Sequence, residues 1–271
     1  MISIQNLIYN INNHLERGIN MLGKHYILTG ATGSLGESLI RSLNKRGAKV
    51  TVIIRNKEKA KKLKQKYKNI VDTYLLDMND TEQLEMFELN NNVKYDGIIN
   101  NAGLGYFKSH ESHSQKEIED VYRINLVNLI LLLNKVIPHL RRSASIVNIS
   151  SISSKVTTPY GSHYAASKAG LSHFTNAFRM EREDLHILLV NPGPFQSDFH
   201  MKADPTGRFQ QLTQNIQIET HALSEQIIKG MIYKKIEINV PRWMDFGLRF
   251  YQFAPRIFEK IFKKSFLSKK L

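Results

Sequence analysis

"TGATGSLG", residues 29–36, follows the apolar run "KHYIL" and leads into "SLGESLIRSLNKRG", which reads as a helix ending near Gly47. Strand, glycine-rich turn and helix in that order form the setting of a dinucleotide fingerprint. Glycine permits positive φ and close backbone approach. The helix N-terminus offers free N–H groups and a partial positive charge to a pyrophosphate. The glycines stand at Gly30, Gly33 and Gly36. The alternative is a tight strand–helix turn that holds no ligand.

The same alternation continues outward. Apolar, strand-like runs appear in "KVTVIIR", "TYLLD", "YDGIINNAG", "SIVNIS", "LHILLVNPG" and "IEINVP", with helical stretches such as "KEKAKKLKQKY" and "ALSEQIIKGMIYKK" between them. Strands alternating with helices imply parallel pairing through right-handed crossovers. Continuous apolar strands imply burial on both faces. The expected fold is α/β, a Rossmann-type doubly wound parallel sheet of about seven strands with helices on both faces. The expected division is an amphipathic helix over residues 1–20, one domain over 21–240 and a basic aromatic tail over 241–271. Met21 offers a second translation start. Residues 194–222 read as a polar, irregular lid over a substrate.

Composition narrows the classes. The 271 residues suffice for one large domain, and no cysteine is present, which excludes disulfides, cysteine-ligated zinc and iron–sulfur clusters. The ten histidines show no metal-ligand spacing, and no G-x-S-x-G elbow of a serine hydrolase occurs. No signal peptide and no segment of about 20 apolar residues is evident, so no bilayer span is expected. The net charge of +14 points to an anionic partner.

The end of the second strand decides the cofactor. Dinucleotide sites that take NAD commonly place Asp or Glu there to bind the ribose 2′-OH. Here Ile53 and Ile54 are followed by Arg55, and seven lysines lie between positions 57 and 68. A guanidinium suits a 2′-phosphate, so NADP(H) is expected over NAD(H). Most of those lysines read as a solvated helix face.

"YAASK", residues 164–168, puts Tyr164 and Lys168 one helical turn apart. An ammonium beside a phenol lowers the phenol pKa from about 10 and makes it usable in proton transfer. Ser151 precedes Tyr164 by thirteen residues, "NNAG" occupies 100–103, "YRINLVN" carries Asn125 and "NPGPFQS" occupies 191–197.

On these motifs residues 22–200 resemble the short-chain dehydrogenase/reductase family, in its compact single-domain branch. Ser34 stands where that branch usually has its middle glycine, with Gly33 before it, so a shifted phosphate turn is expected. The resemblance implies an oxidoreductase that interconverts a carbonyl and an alcohol by hydride transfer. It implies Asn125, Ser151, Tyr164 and Lys168 as the catalytic set. Tyr164 would donate a proton, Ser151 a hydrogen bond to the same oxygen, Lys168 would hold the nicotinamide ribose, and Asn125 would fix a water. The implied cofactor contacts are Thr29, Gly30, Gly33, Ser34, Leu35, Gly36, Arg55, Asp77, Met78, Asn101, Ala102, Gly103, Tyr164, Lys168, Pro192, Gly193 and Ser197. A homodimer or homotetramer is implied through helices around 117–137 and 162–180.

From Pro241 the tail carries eight Lys/Arg against two acids, together with Trp243 and many phenylalanines. The family's common Asp-Gly-Gly ending is absent, which argues against the β-ketoacyl-type reductases. Interleaved cations and aromatics suit an anionic membrane surface; packing on the domain or on a partner is the competing reading, and nucleic acid is not expected. The partners expected are therefore a small carbonyl or alcohol substrate, hydrophobic in character, and a membrane surface. The expected location is the cytoplasm, peripheral on the inner face of the membrane. A cofactor-binding regulator without turnover, or a membrane-surface scaffold, is the alternative function.

Overall fold

The computed structural model describes residues 21–204 and 206–267. The helix read over residues 1–20 lies outside the described residues, as do residues 268–271. Seven strands form one sheet: β1 (His25–Thr29), β2 (Lys49–Ile54), β3 (Ile70–Leu75), β4 (Tyr95–Asn100), β5 (Leu140–Ile149), β6 (His186–Pro192) and β7 (Glu237–Val240). Their order is β3-β2-β1-β4-β5-β6-β7, and every pairing is parallel. The order reverses between β1 and β4, and a sheet of this kind opens its ligand crevice at that point, beyond the carboxyl ends of the strands.

Alternation along the strands makes two cores. Leu28, Val50, Val52, Ile99, Val147 and Leu188 face one side, where α1 (Ser34–Asn44), α2 (Lys57–Lys66) and α9 (Thr220–Ile232) bring Leu39, Leu63 and Ile227. Ile27, Ile53, Ile98, Ile146 and Ile187 face the other, against Leu84 of α3 (Thr81–Glu85) and Leu129, Leu132 and Val136 of α5 (Asn128–Val136). Each such side chain contributes about 1.5–3 kcal/mol by leaving water.

Three expectations change. β5 begins at Leu140 rather than near Ser145; Arg141, Arg142 and Ser143 are exposed and polar, so this part of the strand carries no apolar run. Residues 194–222 are not irregular: they hold α7 (Asp198–Ala203) and α8 (Arg208–Thr213). Asp204 fixes the link between these helices, accepting from Phe209 N at 2.7 Å. Last, Gln115–His139 is one continuous helical stretch, long and apolar enough by length and composition to cross a membrane. It starts as α4 (Gln115–Tyr122), and its apolar side belongs to the sheet: Val121, Leu129, Leu132, Leu133 and Val136 are all buried.

Beyond β7 the chain forms α10 (Arg242–Phe253), α11 (Pro255–Ile261) and α12 (Lys263–Phe266).

Candidate functional site

A cleft of ≈ 780 Å³ runs along the carboxyl ends of the strands. Gly30, at φ +65°, turns the chain out of β1; a Cβ there would stand 2.8 Å from Ala102 N and from Asn101 Nδ2. Thr29 is buried behind the turn, and its Oγ1 accepts from Asn101 N and Ala102 N, each at 3.0 Å. The turn and the "NNAG" segment are thus locked together. Gly36 lets α1 approach closely, since a Cβ at that position would collide with Gly30 O and with Ala31 Cα.

Gly33 differs. Its φ of −79° is open to any residue, and the nearest atom to an added Cβ lies 3.5 Å away. It is the N-cap of α1 without a side-chain cap, so the first N–H groups of that helix have no side-chain acceptor. Gly33, Ser34 and Leu35 line the cleft. This separation gives a prediction. Gly36→Ala is expected to lose about 2–3 kcal/mol of stability, because the helix must move off the strand. Gly33→Ala is expected to stay within about 1 kcal/mol of the wild type. Urea unfolding of both variants checks the pair.

At one end of the cleft lie Arg55, Asn56, Lys59, Asp77 and Met78. The Arg55 side chain is 74% exposed and stands 3.8 Å from the Asp77 carboxylate. A pair this exposed holds neither group tightly. Asn56 caps α2 by accepting from Lys59 N at 2.8 Å, which aims the start of the basic helix at the cleft.

In the middle of the cleft α6 (Ser162–Glu181) crosses the end of β5. Two bonds set its register. Ser150 Oγ donates to Lys168 O at 2.9 Å, and Lys168 Nζ donates to Ile149 O at 2.8 Å. Ser151, Tyr164 and Lys168 therefore meet, and all three line the cleft. Burial pushes the Tyr164 phenol up to about 12, with a hydrogen bond to Ser151 working the other way. Burial also brings the Lys168 ammonium down to about 8.

This corrects the sequence expectation that the lysine acidifies the phenol. Lys168 Nζ stands 6.0 Å from the Tyr164 ring centroid, and its N–H goes to a carbonyl. Desolvation is the leading cause of the upward shift, and the opposing contribution comes from Ser151.

Asn125 lies behind this group, with 0% exposure. It sits in a π-helical turn, Arg123–Val127, that interrupts the helix between α4 and α5. Such turns are frequent at functional sites. Its Oδ1 accepts from Leu104 N at 2.8 Å, and its Nδ2 donates to Leu104 O at 2.7 Å and to Ser167 Oγ at 2.9 Å. Asn125 thus ties the loop after β4 to α6. A Cβ on Gly103 would lie 3.4 Å from Asn125 Oδ1 and 3.5 Å from Lys168 Nζ, so both polar groups stand against that glycine. Thr29, Gly36 and Asn125 are the named residues that stand behind the cleft wall; the others all line it.

Aromatic residues unremarked in the sequence complete the site. Phe107 meets Tyr164 edge-on at 5.7 Å between centroids, Phe199 lies 5.5 Å from Tyr164, and Phe209 lies 4.7 Å from Phe107. Leu212, Ile216, Met244 and Phe266 extend this wall. Phe107 N donates to Ala203 O at 2.8 Å, which joins the loop after β4 to α7. Ser197 Oγ is buried at the cleft with no hydrogen-bond partner among the described residues. Among the described residues, no three His, Asp or Glu side chains are placed to hold a metal ion.

The profile of the short chain dehydrogenase family matches residues 24–207. The chain belongs to that family. Among similar proteins, the 11-beta-hydroxysteroid dehydrogenase A of Sesamum indicum is 26% identical, over 92% of this chain and 77% of the relative. The 3-oxoacyl-(acyl-carrier-protein) reductase FabG of Rickettsia typhi is 29% identical, over 79% of this chain and 90% of the relative. The retinol dehydrogenase 16 of Rattus norvegicus is 27% identical; 70% of this chain matches, spanning 62% of that protein's length. A short-chain dehydrogenase structure from Streptomyces avermitilis superposes with a TM-score of 0.73 at 22% identity, covering 89% of this chain and 96% of that one. An alcohol dehydrogenase from Thermococcus sibiricus, complexed with 5-hydroxy-NADP, gives 0.69 at 22% identity, covering 80% and 94%.

Proposed function

We propose that this family member is an NADP(H)-dependent oxidoreductase that interconverts a carbonyl and an alcohol on a bulky apolar substrate. One observation carries the reading. A single cleft joins the glycine turn and the uncapped N-terminus of α1, the Ser151–Tyr164–Lys168 group, of which Ser151 and Lys168 are buried and Tyr164 half-buried, and an aromatic wall.

The residues fit a dinucleotide. Gly30 and Gly36 stand where a side chain would fill the turn, and Ser197 Oγ is a buried polar atom in need of a partner. When bound, that group supplies or accepts the hydride. The N–H groups of Ser34 and Leu35 would hold the pyrophosphate, with Gly33 leaving their approach clear. Arg55 and Lys59 would hold the 2′-phosphate, and Asp77 and Met78 the adenine end. Asn101, Ala102, Gly103, Pro192, Gly193 and Ser197 would hold the nicotinamide end. Tyr164, with its pKa near 12, is protonated at neutral pH and acts as the acid in carbonyl reduction. Ser151 donates a second hydrogen bond to the same oxygen as charge develops there. Lys168 offers its remaining N–H donors to the sugar hydroxyls. Asn125 is a positioning residue held through Leu104 and Ser167. Phe107, Phe199 and Phe209 admit an apolar body beside the reacting carbon and exclude water. The partners in this reading are the substrate and the anionic membrane surface argued below.

The test compares NADPH and NADH oxidation with ketones and aldehydes of graded chain length, for wild type and Arg55→Asp. The wild type is expected to prefer NADPH and the longer substrates. Arg55→Asp is expected to lower the NADPH-to-NADH ratio by about tenfold to a hundredfold, the worth of one or two charge-assisted bonds. An unchanged ratio contradicts the assignment of Arg55.

A further inference from the structure

The three helices after β7 divide their residues by kind. In α10, Trp243, Phe246, Phe250 and Phe253 are 52–88% exposed. At about 100° per residue these four fall within one narrow stripe, with Arg242 and Arg249 along its edge. Tyr251 and Asp245 lie on the opposite, buried side. Ile257, Ile261, Phe262 and Leu267 carry the exposed apolar surface onward. Arg256, Lys260, Lys263 and Lys264 are exposed beside it.

Both acids of the segment face inward. Asp245 is 9% exposed and pairs with Lys155 and with Arg249. Glu259 accepts from Tyr251 OH at 2.8 Å and from Thr157 Oγ1 at 2.5 Å. The outer face of α10–α12 therefore holds large apolar side chains and cations, with no exposed carboxylate among its described residues. The same helices are fastened to the segment after Ser151, because Thr157 N donates to Tyr251 OH at 3.2 Å. Met244 and Phe266 put them at the cleft itself.

Charge decides the occupant. Arg249 and Arg256 pair with Asp245 and Glu259, which leaves a net positive charge of four on the face; a second copy would set that excess against its own, and like charges across an interface oppose association. An anionic lipid surface complements the same pattern: each cation near it gains about 1 kcal/mol, and aromatics favour the headgroup layer. We propose that α10–α12 dock the protein on an anionic bilayer surface, with the Trp243–Phe253 stripe in the interface and the cleft mouth beside it. Docking does not depend on the activity proposed above.

Trp243 is the one tryptophan in the chain, so intrinsic emission reports on this face directly. The full-length protein is mixed with phosphatidylcholine vesicles, with and without phosphatidylserine, while pelleting and Trp243 emission are followed. The expected result is a blue shift and pelleting with the phosphatidylserine vesicles alone, lost as salt approaches about 1 M, where the screening length falls to about 3 Å. The triple variant Phe246→Ser/Phe250→Ser/Phe253→Ser keeps Trp243 and leaves the cleft intact. It is expected to partition at least about tenfold less, with turnover of a water-soluble ketone retained. No shift with anionic vesicles overturns the proposal. So does a shift produced by single-stranded DNA alone, or a shift that follows protein concentration without lipid. Loss of ketone turnover in the wild type leaves docking standing and removes the oxidoreductase reading instead.

Discussion

Tyr164→Phe is expected to lower kcat/KM for carbonyl reduction by about a thousandfold or more, while NADPH binding and fold persist. The substitution removes one hydroxyl and keeps the ring that packs against Phe107 and Phe199. What disappears is the phenol that hydrogen-bonds Ser151 in the cleft. General acid catalysis is worth about 10²–10⁴-fold, and the neighbouring aromatic wall keeps water from replacing it. Calorimetric titration with NADPH separates the two effects: binding is expected within a few-fold of wild type. Retention of a tenth or more of the turnover would remove Tyr164 from the proton-transfer role.

Lys168 supports the second large effect, in the opposite direction on stability. The ammonium is buried beside a carbonyl and has no carboxylate partner among the contacts of the described residues. Its pKa falls from 10.5 to about 8, and burial is the cause. A shift of that size corresponds to about 3 kcal/mol of destabilisation below pH 8, where both folded and unfolded chains hold the proton. Between pH 8 and 10.5 the unfolded chain holds the proton and the folded chain releases it, so stability rises with pH across this window. Tyr164 acts the other way above pH 10, since its folded pKa near 12 lies above the ordinary value of 10.

Lys168→Met removes the ammonium and loses the bond to Ile149 O, worth about 1 kcal/mol. The variant is expected to be inactive, yet more stable than wild type by about 1–2 kcal/mol at pH 7. That advantage should shrink by pH 9.5. Urea unfolding at the two pH values measures it; a difference that does not change with pH contradicts the burial account. A charge kept at such cost fits the role proposed for Lys168 in the site.

The sheet was legible because each strand is a compact apolar run between turns. "YDGIIN" and "LHILLV" are buried on both faces, and their sequence says so. The residues of the cleft were legible where a motif carries them, from the glycine turn to "YAASK". Three features were not. Phe107, Phe199 and Phe209 come from three short segments without periodicity, so nothing along the chain predicts that they converge on Tyr164. "YRINLVN" reads as ordinary helix, and the π turn follows from Asn125 bonding to Leu104, twenty-one residues away. The ionisation of Tyr164 and Lys168 depends on how deeply α6 is covered, which spacing alone cannot express. The tail lay between these cases. Its composition announced cations and aromatics, but the inward turn of Asp245 and Glu259 is a property of packing.

In the proposed reaction Tyr164 and Ser151 polarise a carbonyl while a hydride reaches its carbon from NADPH in the same cleft. The test uses NADPH carrying deuterium at both C4 positions of the nicotinamide with a long-chain ketone, and locates the label in the product by mass spectrometry. One deuterium is expected on the new carbinol carbon with the wild type, and almost no labelled alcohol with Tyr164→Phe. Alcohol formed without the label, or no alcohol from any ketone or aldehyde in the graded series, would contradict that reaction.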